Sequence, residues 1–360
     1  MAESTISVAG DRSAHAKGSG SGPVHLRASA FPRGPVAVRG TGPDALSNLV
    51  AVLELAADGQ LRCAAATRRP LAATVRLVED ALVAGDYYDR RGQDEPVAAF
   101  AWPMLLQAGG LAALARGDET LIPPRPPRRG SAGTRLELTP RGEAVLAAPC
   151  YPALGELWNR WLRSVSQDEL TRIEAIRGQR RTGTLTAPAR RRAAVADGLA
   201  ALAPGVWVEV DALFAVLRAQ PAPLAVAASP LTQWRLYLTD PRHGSLGPLG
   251  PKAWNVLEGR YALCVLFEYA ATLGVVDVAY TGAWGARADY RGLRGTDGYD
   301  SLSRYDGLAA VRVNDLGAAI LHDPGGLPAL GLPVPRRIPQ EHGRNPRPFG
   351  TFRHGTAGWR

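Results

Sequence analysis

Arg135-Leu136-Glu137-Leu138-Thr139-Pro140-Arg141-Gly142-Glu143-Ala144-Val145-Leu146 and Ala310-Val311-Arg312-Val313-Asn314-Asp315-Leu316-Gly317-Ala318-Ala319-Ile320-Leu321 are two versions of one phrase. Each begins with alternating residues that suit a half-buried strand. A Thr or Asn then turns the chain and caps a helix, and a Gly leads into a short apolar helix. Each phrase also has a long apolar stretch ending in glycine upstream of it: Leu105-Leu106-Gln107-Ala108-Gly109-Gly110-Leu111, and Ala270-Ala271-Thr272-Leu273-Gly274-Val275-Val276. Helix, glycine, strand and capped helix are therefore written twice, far apart, which predicts two lobes of like construction.

Working outward, residues 1–43 are Gly/Ser/Ala/Pro-rich without periodicity and read as a disordered arm. The first lobe spans 44–148. Asp44 is its expected N-cap, ahead of a helix from Ala45 to Ala57 striped by Leu46, Leu49, Val50 and Leu53. A strand within Gln60–Ala66, a helix from Leu71 to Val83 and a third helix from Pro96 to Leu106 follow. Leu121 to Gly133, with Pro123, Pro124, Pro126 and Pro127 among Arg125, Arg128 and Arg129, reads as a stiff exposed wing tip or loop.

Residues 149–191 form a helical connector, with a helix or helix pair from Tyr151 to Gln179 burying Leu154, Leu157, Trp158, Trp161 and Leu162 on one face. Its hinge is Arg-rich. The second lobe, 192–322, holds a helix already begun at Arg190, a strand Val206–Val210, a helix capped by Asp211, and the longest helix of the chain, Ala253–Leu273. The strands Val275–Tyr280 and Ala310–Val313 flank a Gly/Tyr/Arg/Asp insertion. Residues 323–360 read as a disordered basic tail. The expected fold class is mainly α with small β wings.

The chain carries a net charge of +9, and all but two of its 42 basic residues are arginine. Segment 1–43 has five basic and two acidic residues, 171–192 seven and one, and 323–360 six and two, leaving a net of −4 elsewhere. Positive charge is thus concentrated in the termini and the connector, which favours an anionic partner held by arms and hinge. The apolar runs are too short and interrupted to span a bilayer, and the polar N-terminus has no apolar signal core, so a cytoplasmic protein is expected. Cys63, Cys150 and Cys264 are widely spaced and read as buried small hydrophobes rather than a disulfide or zinc framework.

Catalytic patterns are absent. No phosphate-gripping Gly-rich loop ends in Lys-Ser/Thr. His15, His25, His342 and His354 fall in the terminal arms, where no rigid element would fix a metal. The acidic pairs Glu79-Asp80 and Asp168-Glu169 are adjacent, and helix neighbours diverge by about 100°, so both read as solvated charge. No enzyme activity and no cofactor are expected.

The connector carries the positive signal. Arg177, Arg180, Arg181, Arg190, Arg191 and Arg192 cluster beside Gly and Thr, where guanidinium groups and backbone N–H can bracket phosphates. The competing explanation is a hinge kept soluble by its charge. In the insertion, Arg287, Arg291, Arg294 and Arg304 alternate with Trp284, Tyr290 and Tyr299, but Asp289, Asp297, Asp300 and Asp306 offset them, favouring a wing held by internal Arg–Asp pairs over a DNA contact.

Leu46 to Leu82, Leu136 to Leu146 and Leu302 to Leu321 together resemble the tandem winged-helix region associated with bacterial helicases of the XPB type, and stand-alone proteins of that make-up found in mobile-element or phage-defence clusters. The resemblance implies DNA binding, or docking onto a DNA-processing complex with helicase, nuclease or other subunits. The chain lacks a helicase motor, so no ATPase activity is carried over. The expected function is a non-catalytic, phosphate-dominated, sequence-tolerant DNA-binding subunit, with duplex DNA favoured over single strands. Its clamps would be the six connector arginines, with Arg125, Arg128 and Arg129 at the wing tip. The alternative is an interaction scaffold whose lobes dock partner subunits.

Overall fold

The computed structural model describes residues 36–88, 96–115, 133–179, 183–238, 244–247, 249, 254–293, 295–296, 298–322 and 327. The wing-tip arginines Arg125, Arg128 and Arg129, and Arg180 and Arg181 of the connector, lie outside these residues. The chain is mainly helical with small antiparallel sheets.

In the first lobe, α1 (Gly42–Ala57) buries Leu46, Leu49, Val50 and Leu53 and gives way at Gly59, whose φ of 68° suits glycine. Strand β2 (Arg62–Cys63) is fastened to α2 (Ala72–Ala81) by Thr74, whose hydroxyl accepts from Arg62 N–H and donates to Arg62 C=O, both at 2.8 Å. Helix α3 (Ala98–Ala108) is followed by Gly110 at φ 69°, then by β3 (Ala112–Leu114), β4 (Thr134–Leu138) and α4 (Pro140–Ala147). The sheet order is β2-β4-β3, all antiparallel.

Between the lobes, α5 (Tyr151–Arg163) leads to a single 3₁₀ turn (Glu169–Arg172) and β5 (Ile176–Arg177), not to the second long helix expected there. The second lobe repeats the first: α6 (Pro188–Ala200), β6 (Trp207–Glu209) and α7 (Val210–Ala219) come first. A short α8 (Pro230–Gln233) and β7 (Tyr237–Leu238) are inserted, β7 pairing with β5. The long helix follows as α9 (Arg260–Cys264), continued at both ends by wider π windings, Asn255–Gly259 and Val265–Ala270. Gly274 stops it at φ 77°, and β8 (Val276–Tyr280), β9 (Leu308–Val313) and α10 (Asp315–His322) complete the lobe. Its strands lie in the order β6-β9-β8, the same first-third-second order as in the first lobe.

The repeated phrase has a repeated geometry. Thr139 caps α4 by accepting from Gly142 N–H at 3.2 Å, and Asn314 does the same for Gly317 N–H at 2.9 Å. Both glycines lie against backbone. A Cβ on Gly142 would sit 2.0 Å from the Leu111 carbonyl oxygen, and one on Gly317 would sit 1.8 Å from that of Val275. The short helix can close onto the strand start only where the side chain is absent.

The N-terminal boundary differs from expectation. Ala37–Arg39 form a strand, β1, that pairs with β8 of the second lobe, and Thr41 bonds Asp277 Oδ1 and the Val276 carbonyl there. Helix α1 begins at Gly42, with Thr41 and not Asp44 at its cap position. The two lobes therefore share a sheet. They also share a core: Tyr87 of the first lobe meets Phe267 of the second at 4.8 Å between ring centres, and Trp161 of α5 stacks on Tyr269 at 4.9 Å. Trp158 and Trp161 are core residues, as expected. Cys63 and Cys264 are buried, but Cys150, the extended residue just before α5, is exposed. No helix among the described residues is long and apolar enough to cross a membrane.

Candidate nucleic-acid interface

The connector arginines divide sharply once folded. Helix α6 presents positions 190, 193 and 197 outward, a spacing of one helical face, and turns 191, 192, 195 and 199 inward. Arg190 is exposed. Arg191 and Arg192 are buried, so they are not phosphate clamps. Arg191 grips Asp168 with both terminal nitrogens, at 2.9 and 2.6 Å. Arg192 meets Glu169 at 2.9 and 2.7 Å and donates to the carbonyls of Trp161, Ser164 and Gln167. Asp168-Glu169 is correspondingly no solvated pair. The 3₁₀ turn lets two adjacent acids face two adjacent arginines, which a continued α-helix would have prevented. Burial pushes the Glu169 carboxyl upward, opposed by Arg192 beside it.

Two further buried arginines hold the second lobe. Arg172 makes a forked contact with Glu268, at 3.0 and 2.9 Å, while its guanidinium lies 3.4 Å from the Phe100 ring centre of α3. Tyr305 donates to the same carboxylate. Burial alone would depress Arg172, but Glu268 outweighs it and raises its pKa well above the usual value, keeping the arginine charged. Arg260 binds Asp289 and Asp306. The insertion is thus held by Arg–Asp pairs, though the central arginine comes from the long helix and not from the insertion itself. Tyr290 and Tyr305 are buried there, not open for stacking.

The helix that precedes the paired strands in each lobe is walled in. Helix α3 is buried from Ala98 to Leu106, and the long helix from Val256 to Ala270. The two touch each other across the lobe interface. Neither offers a face to a DNA groove.

One open groove, of about 760 Å³, lies where the first lobe, the connector and β7 meet. Arg69, Thr171, Glu174, Arg177, Gln179 and Tyr237 line it. Arg69 reaches across from the first lobe to donate to Thr171, at 2.7 Å to its carbonyl and 2.8 Å to its hydroxyl. The two carboxylates of the groove are answered elsewhere: Asp168 by Arg191, and Glu174 by Arg304 at 3.6 Å. Arg177, exposed at the end of β5, has no acidic partner among the described residues, and neither has Arg69. The lining thus balances two arginines against two carboxylates, but the carboxylates pair outside the groove while the guanidinium groups keep free donors toward it, a pattern suited to oxyanions.

Sequence reasoning singled out Arg177 and Arg190, and both are exposed. Arg69 carried only a faint signal, the Arg68-Arg69-Pro70 step at a helix start. Tyr237 and its neighbours Trp234 and Arg235 carried no site signal: 221–251 reads as loop-rich with a strand at Gln233–Leu238, of which the structure keeps Tyr237–Leu238. Their tryptophan-arginine-tyrosine spacing was the available clue. Among the described residues no group of three or more His, Cys, Asp or Glu could hold a metal ion. No protein-family model, no curated protein and no solved structure matches the chain.

Proposed function

We propose that the chain is a non-catalytic nucleic-acid-binding subunit that holds phosphates without reading bases in a groove, acting in the cytoplasm within a larger DNA-processing or defence complex. The observation that carries this is the groove at the lobe junction, where Arg69 and Arg177 have no acidic partner among the described residues while the two neighbouring carboxylates pair with other arginines. Support for two winged-helix lobes comes from the repeated order of helices and strands and from the first-third-second strand order in both sheets. Burial of both third helices argues for phosphate contact over base readout.

The test is fluorescence anisotropy of labelled DNA across a salt series, with wild type and an Arg69→Ala/Arg177→Ala/Arg190→Ala variant. Removing one phosphate-binding arginine should flatten the log–log salt slope by about 0.9 on duplex and about 0.7 on a single strand, so the triple variant should be shallower by roughly 1.4 to 2.7. Unchanged binding by the variant sinks the groove as the contact surface.

An interaction scaffold is the second reading, favoured by charge. The described residues hold 21 basic and 22 acidic side chains, a net of −1, so the remainder of the chain carries the positive excess. A stoichiometric partner in purification, with no DNA shift at physiological salt, would select it.

A further inference from the structure

Trp234 is 58% exposed, unusual for the largest apolar side chain, and its backbone is held by several hydrogen bonds. It ends α8, whose start is fixed by Pro230 and by a reciprocal capping box between Ser229 and Thr232. Ser245 Oγ donates to the Trp234 carbonyl at 3.1 Å, Gln233 Nε2 to the Leu246 carbonyl at 2.9 Å, and Leu246 N–H to the Leu236 carbonyl at 2.9 Å. The indole lies against Gly247. A Cβ there would fall 2.2, 2.4 and 2.6 Å from three atoms of the ring system, Cδ2, Cγ and Cε2. One side of the ring is thus seated on a bare backbone, and the other is left to solvent.

Two arginines belong to the same stretch of surface. Arg235 follows it directly and is exposed. Gly178, at φ 86°, lies so close that a Cβ would meet the Arg235 carbonyl oxygen at 2.0 Å, so the β5 end carrying exposed Arg177 abuts the segment carrying Trp234. Tyr237 is the register partner of Arg177 and lines the groove with it. Neither Arg177 nor Arg235 has an acidic partner among the described residues. Trp284, the other tryptophan among the described residues exposed to a like degree at 64%, has only Arg287 nearby in sequence on its own turn, and that residue is committed to Asp289 and Asp211.

From this juxtaposition we infer that Trp234, with Arg177 and Arg235, forms a stacking site for an unpaired base, so that the strand held at the lobe junction is single-stranded. An aromatic face accepts any base, and adjacent guanidinium groups take the phosphates on either side. A paired base inside a duplex has both faces covered and cannot use the ring. The inference rests on the nucleic-acid reading above and names the form of its substrate.

The experiment compares a labelled oligo-dT strand and a mixed-sequence duplex of equal length, with wild type, W234A, W234F and W284A, each first checked for native circular dichroism. Removal of the ring in W234A should weaken single-strand binding about 5- to 150-fold, with W234F retaining most of it and W284A unchanged. A strand carrying 2-aminopurine should lose emission on binding wild type but not W234A. Equal single-strand binding by wild type and W234A overturns the stacking site while leaving phosphate contact intact. Tighter binding of duplex than of strand by wild type also overturns it. Binding of neither nucleic acid removes both this inference and the reading beneath it.

Discussion

Arg192 separates the folded chain from its sequence most sharply, and replacing it gives a quantitative test. Its guanidinium is fully buried, meets Glu169 at 2.9 and 2.7 Å, and donates to the carbonyls of Trp161 at 2.7 Å and Gln167 at 2.8 Å, and to that of Ser164. Arg192→Met keeps most of the volume but strands a buried carboxylate and three carbonyls. Removing one partner of a buried ion pair costs about 3–5 kcal/mol, a large part of the roughly 5–15 kcal/mol that holds a folded domain. Glu169→Leu should cost a similar amount by stranding the guanidinium. In the Arg192→Met/Glu169→Leu double variant neither charge is stranded, so its loss should fall short of the summed single losses by about 3 kcal/mol. Urea unfolding followed by circular dichroism gives all four stabilities. Arg190→Ala, one helix face away and exposed, should stay within about 0.5 kcal/mol of wild type. If Arg192→Met matched wild type to that same margin, Arg192 would be a solvated residue and the packing of α6 onto the connector would be refuted.

The other predictions concern the repeat, one buried acid and the shared sheet. Gly317→Ala forces a Cβ against the Val275 carbonyl and should cost about 3 kcal/mol, read as a lowered melting temperature, whereas Gly298→Ala, with nothing near its Cβ position, should be neutral. Glu258 is buried, with Val226 N–H bonded to its carboxylate at 3.0 Å, and burial raises its pKa to about 7. Because the folded value lies above the unfolded one, its contribution is complete below about pH 4.5 and is lost as pH rises through about 7, a change of about 3 kcal/mol. Urea midpoints from pH 4 to 8 should show that fall in wild type and a flatter profile in Glu258→Gln. Deleting residues 1–40 removes β1 and bares the β8 edge, so the truncated chain should melt earlier and associate more readily, as light scattering would report.

Local order was legible where one residue type has one geometric use. The Thr139-Pro140 step marks the start of α4, glycine stops both third helices, and the stripe of α5 marks its buried face; all follow from rules acting within a few residues. The partition of the arginines was not legible, because it depends on pairings made far along the chain. Asp168-Glu169 and Arg191-Arg192 are 23 residues apart, and their match requires a 3₁₀ turn where the apolar spacing predicted continuing helix. Ala37–Arg39 looked like an arm for the same reason: a three-residue strand has no pattern of its own and is defined by its partner, Val278–Tyr280, on the far side of the sequence.

This distinction decides how the connector can be tested. A variant that neutralises Arg180, Arg181, Arg190, Arg191 and Arg192 together would remove two buried ion pairs, cost more than the Arg192→Met change alone, and lose DNA binding through unfolding. Such a loss would look like proof of a phosphate clamp while saying nothing about one. Salt dependence breaks the ambiguity. Removing a phosphate-binding arginine lowers the slope of log affinity against log salt in a protein that still melts cooperatively, whereas unfolding lowers the bound fraction at every salt concentration alike. Arg177 and Arg190 are exposed and outside the buried pairs, so their replacement can change the slope without changing the melt.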